Sequence, residues 1–143
     1  MTIRAAQRLD LAGEPASVGR ARSFVREVLL DWQLDELVDT VMLLTSELST
    51  NAVLHARTPF AVLVSHTGTE VRVEVHDGSL VAPRQRQNSR SAATGRGIAL
   101  VDQLATQWGV RSERGDYAKA VWFTVPLTGV GDAMWEGDWF ADL

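Results

Sequence analysis

A long amphipathic stretch between Leu34 and Ala56 constrains the fold more than any other part of the chain. Apolar residues, with one histidine at the end, recur there at steps of three and four, which is the repeat of one helix face. The stripe consists of Leu34, Leu37, Val38, Val41, Leu44, Leu48, Ala52 and His55. A helix of this length has to bury such a stripe against another layer. We expect it to end at Arg57-Thr58-Pro59, because a residue before proline is disfavoured in helical conformation.

Two polar residues, Glu47 and Asn51, border this stripe one helical turn apart, so they are neighbours on the helix surface. Glutamate is a good helix former and is usually solvated, whereas asparagine is a poor residue for a helix interior. The helix alone therefore leaves a solvated surface and a functional pair both open. For His55 we expect a core residue with satisfied hydrogen bonds, since a zinc site would need a second histidine at suitable spacing.

Composition indicates a single globular domain. The chain has 143 residues, of which 45% are hydrophobic and 22% charged, as in ordinary soluble domains. Cysteine is absent, which excludes disulfides and thiolate metal sites and suits the cytoplasm. The N-terminus has no apolar core of a secretion signal, and no run approaches the ~20 apolar residues of a membrane span. We expect a cytoplasmic protein without a membrane partner.

The charge distribution favours a small anionic ligand over nucleic acid. The formal net charge is -4, whereas a general nucleic-acid binder needs a basic face to displace counterions from phosphates. Basic residues nevertheless concentrate in one loop, at Arg84, Arg86, Arg90 and Arg96. Acidic residues concentrate near the C-terminus, at Asp132, Glu136, Asp138 and Asp142.

The order of predicted elements indicates the fold class. Strands are expected at residues 2–10 (an edge strand), 60–65, 70–77, 110–113 and 119–126, and helices at 15–32, 34–56 and 98–108. Gly68 is expected in the turn between the second and third strands. This order predicts an α/β two-layer sandwich, with helices on one face of a mostly antiparallel sheet, formed by residues 1–126. Residues 78–94 form a long polar loop, typical of a lid, and residues 127–143 an acidic tail with aromatic residues.

Three features of the chain together suit a nucleotide bound with a metal ion. Glu47 and Asn51 lie on a helix, Asp77 ends a strand, and Gly95-Arg96-Gly97 opens a helix after the polar loop. A carboxylate can accept a hydrogen bond from the adenine amino group, and side-chain oxygens bind Mg²⁺. Backbone N–H groups at a helix N-terminus bind phosphate. The neighbouring His76 and Asp77 do not suggest a hydrolase triad, because adjacent strand residues point to opposite faces.

Three motifs in this order resemble those of the histidine-kinase-like (GHKL) ATPase domain. They are Glu47-Leu-Ser-Thr-Asn51-Ala-Val-Leu-His55-Ala, Val75-His-Asp77-Gly-Ser79 and Thr94-Gly95-Arg96-Gly97-Ile98-Ala99-Leu100-Val101. The closing strand Lys119-Ala-Val-Trp-Phe123 fits the same pattern. The chain looks most like the stand-alone bacterial branch, the anti-sigma-factor serine/threonine kinases, over residues 15–126. The resemblance implies the Bergerat-type ATP-binding fold.

The resemblance also implies a role for each matching residue. Asn51 would ligate Mg²⁺, and Glu47 would act as general base or polarise the attacking group. Asp77 would bond the adenine amino group of ATP, and Thr94, Gly95, Arg96 and Gly97 would line its phosphates beneath the lid 78–94. The implied partners are a sigma factor and an anti-sigma-factor antagonist whose serine accepts the phosphate, with no direct contact to nucleic acid. Whether two copies form a homodimer stays open.

Departures from the family pattern leave a second interpretation open. The family motif Asp-x-Gly-x-Gly reads Asp77-Gly78-Ser79-Leu80-Val81 here, and β-branched valine does not readily adopt the backbone angles of glycine. The Gly-Thr pair that is frequent in the family's last strand is also missing. A non-catalytic protein-binding regulator with weak or lost nucleotide binding is therefore the alternative. The catalytic half of a histidine kinase is less favoured, because no phosphoacceptor helix precedes residue 15.

Overall fold

The computed structural model describes residues 2–79, 101, 104–113 and 115–127. Within these ranges the strands are Ala5–Leu11 (β1), Phe60–His66 (β2), Glu70–Asp77 (β3), Gln107–Ser112 (β4) and Lys119–Pro126 (β5). The α-helices are Ala16–Asp31 (α1) and Val38–Asn51 (α2), and α2 is flanked by a 3₁₀ turn, Asp35–Leu37, and a π-helical stretch, Ala52–Ala56. None of the helices in these ranges is long and apolar enough to cross a membrane.

The strands form one sheet in the order β1-β2-β3-β5-β4, and every neighbouring pair is antiparallel. The edge strand expected at residues 2–10 is found as β1, which lies at one edge, and β4 lies at the other. In the β2–β3 hairpin Gly68 has a φ of 96°, a backbone conformation that glycine adopts without steric cost. The predicted two-layer sandwich on an antiparallel sheet is therefore confirmed.

The core lies between the sheet and the two α-helices. Alternate residues of β3 are buried on this side: Val71, Val73 and Val75 are at most 1% exposed. Their partners across the ladder with β5 are Val125, Phe123 and Val121, which are buried too. Helices α1 and α2 pack on each other and on this face. The alternate residues of the strands therefore pack against the apolar stripe of the helices.

The long helical segment is continuous but changes its hydrogen-bonding pattern near its end. Most of the predicted stripe is buried, namely Leu37, Val38, Val41, Leu44, Leu48 and Ala52. His55, however, is exposed and Val53 is buried, so our expectation of a core histidine is wrong. The π-helical turn places about one more residue in each turn than an α-helix, which shifts the phase of the stripe after Ala52. The Arg57 N–H closes it on the Ala52 carbonyl at 3.0 Å.

Strand β4 begins earlier than the sequence suggests. Val101 and Leu104 are helical, but the chain is already extended at Gln107, so a helix reaching residue 108 and a strand starting at 110 are both wrong. Gln107 pairs with Thr124, and Trp108 pairs with Phe123. Tryptophan is one of the residues that pack well on a half-buried strand. Gly109 is inside the strand, where a Cβ would lie 2.9 Å from the Trp122 ring. Residues 98–100 and 102–103 lie outside the described residues.

Candidate functional site

The C-terminal ends of α2 and β3 meet at one end of the helix–sheet interface. Both α2 and the π-helical stretch contact β3. Residues 57–59 then lead directly into Phe60, which pairs with Asp77. Asp77 is in phase with the buried valines of β3, so its side chain lies on the helix-facing side of the sheet. Asn51 and Asp77 are therefore brought to the same end of the two layers.

Asn51 is the last residue of α2, and its side chain has unsatisfied hydrogen-bonding capacity. Its Oδ1 and Nδ2 atoms are both buried, and neither has a hydrogen-bond partner among the described residues. Leaving a buried polar group unsatisfied costs about 1–3 kcal/mol. Glu47 lies one turn earlier on the same helix and is half-buried. An amide held in this state is suited to a ligand or an ion that is bound only part of the time.

Asp77 is 3% exposed and already paired. Lys119 Nζ donates to its Oδ1 at 2.9 Å and to its Oδ2 at 3.1 Å, and the Ser79 N–H donates to Oδ1 at 2.8 Å. Lys119 itself is only 8% exposed. Burying two charges is unfavourable unless they attract each other at close range and their hydrogen bonds are satisfied, and this pair meets both conditions.

Lys119 is the residue of this site that sequence reasoning missed. It opens β5 directly opposite Asp77 in the β3–β5 ladder. A signal was available, because Lys119 alternates in phase with Val121, Phe123 and Val125, which are the buried positions of an apolar strand. A lysine in a buried phase needs an acidic partner. The position of that partner depends on the register between strands 42 residues apart, which local patterns do not contain.

The corner after Asp77 is held by two neighbouring loops. The Gly78 N–H donates to Thr58 Oγ1 at 2.9 Å, and the Ala118 N–H donates to the Asp77 carbonyl at 2.8 Å. Gly13, in the β1–α1 loop, approaches so closely that a Cβ there would lie 2.4 Å from the Thr58 carbonyl oxygen. The Asp77 carboxylate is thus positioned by backbone contacts from both sides, with Thr58 as a further residue that the motifs do not indicate.

The remaining predicted site residues lie outside the described residues. They are Thr94, Gly95, Arg96 and Gly97, and of the lid expected at 78–94 only Gly78 and Ser79 are described. The structure therefore places the helix and strand portions of the candidate site, Glu47, Asn51 and Asp77. The proposed contacts to phosphate stay predictions.

The donor set at Asn51 fits a weakly held Mg²⁺ ion. Mg²⁺ prefers six oxygen ligands and keeps several waters, and proteins usually supply one or two of the ligands while substrate phosphates supply others. The Asn51 amide oxygen is one suitable ligand with no other hydrogen-bonding partner in the described ranges. Those ranges contain no group of three or more His, Cys, Asp or Glu side chains arranged to hold a metal ion. A metal at Asn51 would thus depend on phosphate oxygens and waters for most of its coordination.

The opposite face of the sheet carries a separate charged network. Glu74 accepts hydrogen bonds from His76 Nε2 at 2.8 Å, from Arg72 Nε at 2.7 Å and from Arg111 Nη2 at 3.0 Å. The His76 hydrogen bond, followed by those of Arg111 and Arg72, holds the pKa of the Glu74 carboxyl well below its usual range despite partial burial. The Arg72 guanidinium also lies 4.0 Å from the centre of the Trp122 ring. This network does not contact the Asp77 side chain, which points to the other face.

Comparison with known proteins identifies the family. The family model described as histidine kinase-like ATPase domain matches residues 11–125, a range that begins at the last residue of β1 and ends in β5. No curated protein matches the chain. Domains of this family generally bind ATP together with Mg²⁺. The chain belongs to the histidine kinase-like ATPase domain family.

Proposed function

We propose that the protein is an ATP- and Mg²⁺-binding regulator that phosphorylates a serine of an anti-sigma-factor antagonist and, when not engaged by that antagonist, holds a sigma factor. The observation that carries the nucleotide part is the buried amide of Asn51, which has no hydrogen-bond partner among the described residues and lies at the same end of the layers as Asp77. The kinase and anti-sigma-factor parts rest on the resemblance of the motifs to the stand-alone bacterial branch.

Each residue of the site has a separate role in the proposed phosphoryl transfer. Asp77 would accept a hydrogen bond from the base, and the Asn51 amide oxygen would hold Mg²⁺. Bound Mg²⁺ neutralises charge on the phosphate oxygens. Glu47 orients the acceptor serine and takes its proton, while the serine oxygen bonds to the γ-phosphorus and the bond to the ADP oxygen breaks. Most of the rate gain in such a reaction comes from positioning and charge stabilisation.

Calorimetric titration of the purified protein with ATP, with and without Mg²⁺, tests nucleotide binding. We expect binding that weakens at least tenfold without Mg²⁺. We also expect binding to be lost in Asp77→Asn, because the NH₂ group of asparagine is a donor and would repel the adenine amino group, which is also a donor. No heat and no thermal stabilisation at millimolar ATP would contradict the proposal.

Transfer of labelled γ-phosphate to a candidate antagonist protein tests the kinase step. We expect Glu47→Ala to reduce transfer by about 100-fold or more, with ATP affinity within threefold of the unaltered protein. Ser46→Ala, one residue earlier and also half-buried, is the matched control and should transfer normally. Undiminished transfer by Glu47→Ala would remove that residue from the mechanism.

A specific observation also favours the alternative, a protein-binding regulator without catalysis. Both oxygens of Asp77 already accept hydrogen bonds from Lys119, so a base would have to share or displace that ammonium group. If nucleotide does not bind, a sigma factor should still bind the protein with an affinity that is the same with and without ATP.

A further inference from the structure

A cavity of about 260 Å³ lies between α1 and α2, and it is lined by Arg22, Asp39, Met42, Leu43 and Ser46. Arg22, Asp39 and Leu43 are exposed, so the cavity opens to solvent, away from the core. Leu43 is 41% exposed, and Met42 beside it is half-buried. Apolar surface with a polar rim is typical of an interaction site. The cavity is smaller than the ~300–1,000 Å³ of ordinary ligand pockets, which suits one large side chain better than a whole ligand.

Two arginines of α1 give this surface a positive side. Arg22 and Arg26 are one helical turn apart and both exposed. Neither forms an ion pair with another described residue. The arginines on the open face of the sheet are instead paired with carboxylates at 2.7–3.0 Å: Arg8, Arg72 and Arg111. Together with the cavity, Arg22 and Arg26 form what we call the helix groove, and an acidic partner would find its free guanidinium groups there.

The acidic tail of the same chain has the complementary chemistry. Residues 128–143 contain no lysine, arginine or histidine. Their acidic residues alternate with large aromatic ones, in the order Asp132, Trp135, Glu136, Asp138, Trp139, Phe140 and Asp142. An indole ring buries a large apolar area and packs well beside a guanidinium group, and carboxylates form strong hydrogen bonds with arginine.

The end of β5 places the start of this segment close to the helix groove. The Leu127 N–H donates to the Thr69 carbonyl at 2.9 Å, in the turn between β2 and β3. At the same end of the sheet Trp32, which follows α1 directly, contacts His66 with ring centroids 4.7 Å apart. The tail thus leaves the sheet where α1 ends and α2 begins. The cavity residues of α2 lie within ~12 Å of its start, whereas 16 extended residues span roughly 50 Å.

We propose that the acidic tail docks in the helix groove of its own chain. One tryptophan ring of the tail fills the cavity over Met42 and Leu43, and tail carboxylates pair with Arg22 and Arg26. Asp39 lies at the same cavity and opposes the tail by like-charge repulsion. This surface lies outside the nucleotide site, so the inference does not depend on the proposed function.

Paramagnetic NMR on the full chain tests the position of the tail. The chain has no cysteine, so Ala141→Cys carries a single nitroxide label near the end of the tail. We expect the label to broaden the amide signals of residues 22–26 and 39–46 and to leave those of β3 and β4 sharp. Broadening on β3 and β4 instead, or broadening confined to the tail, would overturn the proposal.

A mixed sample distinguishes the chain's own groove from that of a second copy. Spin-labelled chain without ¹⁵N is mixed with ¹⁵N-labelled chain that carries no spin label. We expect no broadening in this mixture, because the tail occupies the groove of its own chain. Broadening of residues 22–26 and 39–46 in the mixture as strong as in the doubly labelled chain would mean that the occupant is a second copy, and would contradict the proposal.

Charge changes then test the pairing in the spin-labelled chain. Arg22→Glu together with Arg26→Glu should lower the docked population about tenfold, whereas Asp39→Asn should raise it by removing the repulsion. Arg20→Glu is the matched control, since Arg20 is exposed on α1 but does not line the cavity, and it should keep the broadening. The amide spectrum shows whether each variant folds. Unchanged broadening in the folded double variant, or an equal loss in Arg20→Glu, would overturn the proposal.

Discussion

Asn51 joins two properties at the residue scale, a helix-terminal position and an amide whose buried polar atoms have no partner in the described ranges. If a residue is kept in an unfavourable state because it binds a ligand, its replacement should raise the stability of the fold and weaken ligand binding. Asn51→Ala removes the unsatisfied atoms and improves helix propensity. We expect the free energy of unfolding without ligand to rise by about 1 kcal/mol, while the Mg²⁺-dependent part of ATP affinity is lost.

Thr50→Ala is the matched control for Asn51→Ala. The Thr50 hydroxyl donates to the Ser46 carbonyl at 2.8 Å, so it is satisfied within the helix. We expect calorimetry to show ATP binding with normal Mg²⁺ dependence in Thr50→Ala. Chemical denaturation supplies the stability of both variants. A loss of stability in Asn51→Ala with full retention of Mg²⁺-dependent binding would mean that the amide has a structural role only.

Glu74, on the other face, gives a prediction for pH dependence. Its hydrogen bonds to His76, Arg111 and Arg72 lower the pKa of the folded-state carboxyl, so the unfolded chain binds the proton more readily than the folded chain. The stabilisation is therefore fully present above the ordinary glutamate pKa of about 4.3 and is lost as the pH falls below it. We expect Glu74→Gln to cost about 1–3 kcal/mol at neutral pH.

Denaturation series from pH 7 to pH 3 measure this effect. The difference in unfolding free energy between the unaltered protein and Glu74→Gln should be constant above pH ~6 and shrink below pH ~4. Glu27→Gln, at an exposed position on α1, is the control and should change stability by less than about 0.5 kcal/mol. A difference that stays constant down to pH 3 would mean that the Glu74 pKa is not lowered by folding.

At the scale of elements, two glycines allow a paired test of how the loops hold the site. A Cβ at Gly13 would lie 2.4 Å from the Thr58 carbonyl oxygen, whereas a Cβ at Gly19 would meet nothing within 4 Å. Gly13→Ala should therefore destabilise the fold by about 1–3 kcal/mol through overpacking. Gly19→Ala, inside α1, should stabilise it by about 0.5–1 kcal/mol.

The variants Gly13→Ala and Gly19→Ala should also differ in nucleotide affinity. Thr58 accepts the Gly78 N–H, so a displaced Thr58 moves the corner that positions Asp77. We expect Gly13→Ala to weaken ATP binding at temperatures where it is still folded, and Gly19→Ala to leave it unchanged. Equal stability of the two variants in thermal unfolding would contradict the close approach of the two loops.

Elements with a sustained period could be predicted from the sequence, and those decided by their partners could not. The valines of β3 alternate, and the stripe of α2 repeats with helical spacing, so both elements and their buried faces follow locally. Trp108 and Gly109 carry no such period, and their place in β4 depends on pairing with β5. His55 fits the helical repeat, but the π-helical turn after Asn51 shifts it into solvent.

The site divides in the same way. Glu47, Asn51 and Asp77 could be found because each belongs to a motif with fixed local spacing. The partners of Lys119 and Thr58 could not be found, because these residues reach Asp77 and Gly78 through sheet register and a loop contact. The ion pair of Asp77 with Lys119 is therefore a tertiary feature that only the folded chain displays.

At the scale of the whole molecule, the sheet separates two sets of charges with different surroundings. Glu74, Arg72 and Arg111 lie on one face, where their hydrogen bonds satisfy one another. Asp77 lies on the other face, at the end where α2 finishes. Ligand binding at that end should stabilise the entire fold, because a ligand that binds only the folded chain shifts the unfolding equilibrium by about 2.7 kcal/mol at 100 times its dissociation constant.

A crystal structure of the protein with Mg²⁺ and a hydrolysis-resistant ATP analogue would locate both ends of the nucleotide at once. We expect the metal at about 2.0–2.1 Å from Asn51 Oδ1, the usual Mg²⁺–oxygen distance, with phosphate oxygens completing its coordination. The adenine amino group should lie within about 3.2 Å of Asp77 Oδ2, beside the Lys119 ammonium. A nucleotide bound away from the α2 and β3 ends, or a metal without Asn51 among its ligands, would contradict the assignment of this site.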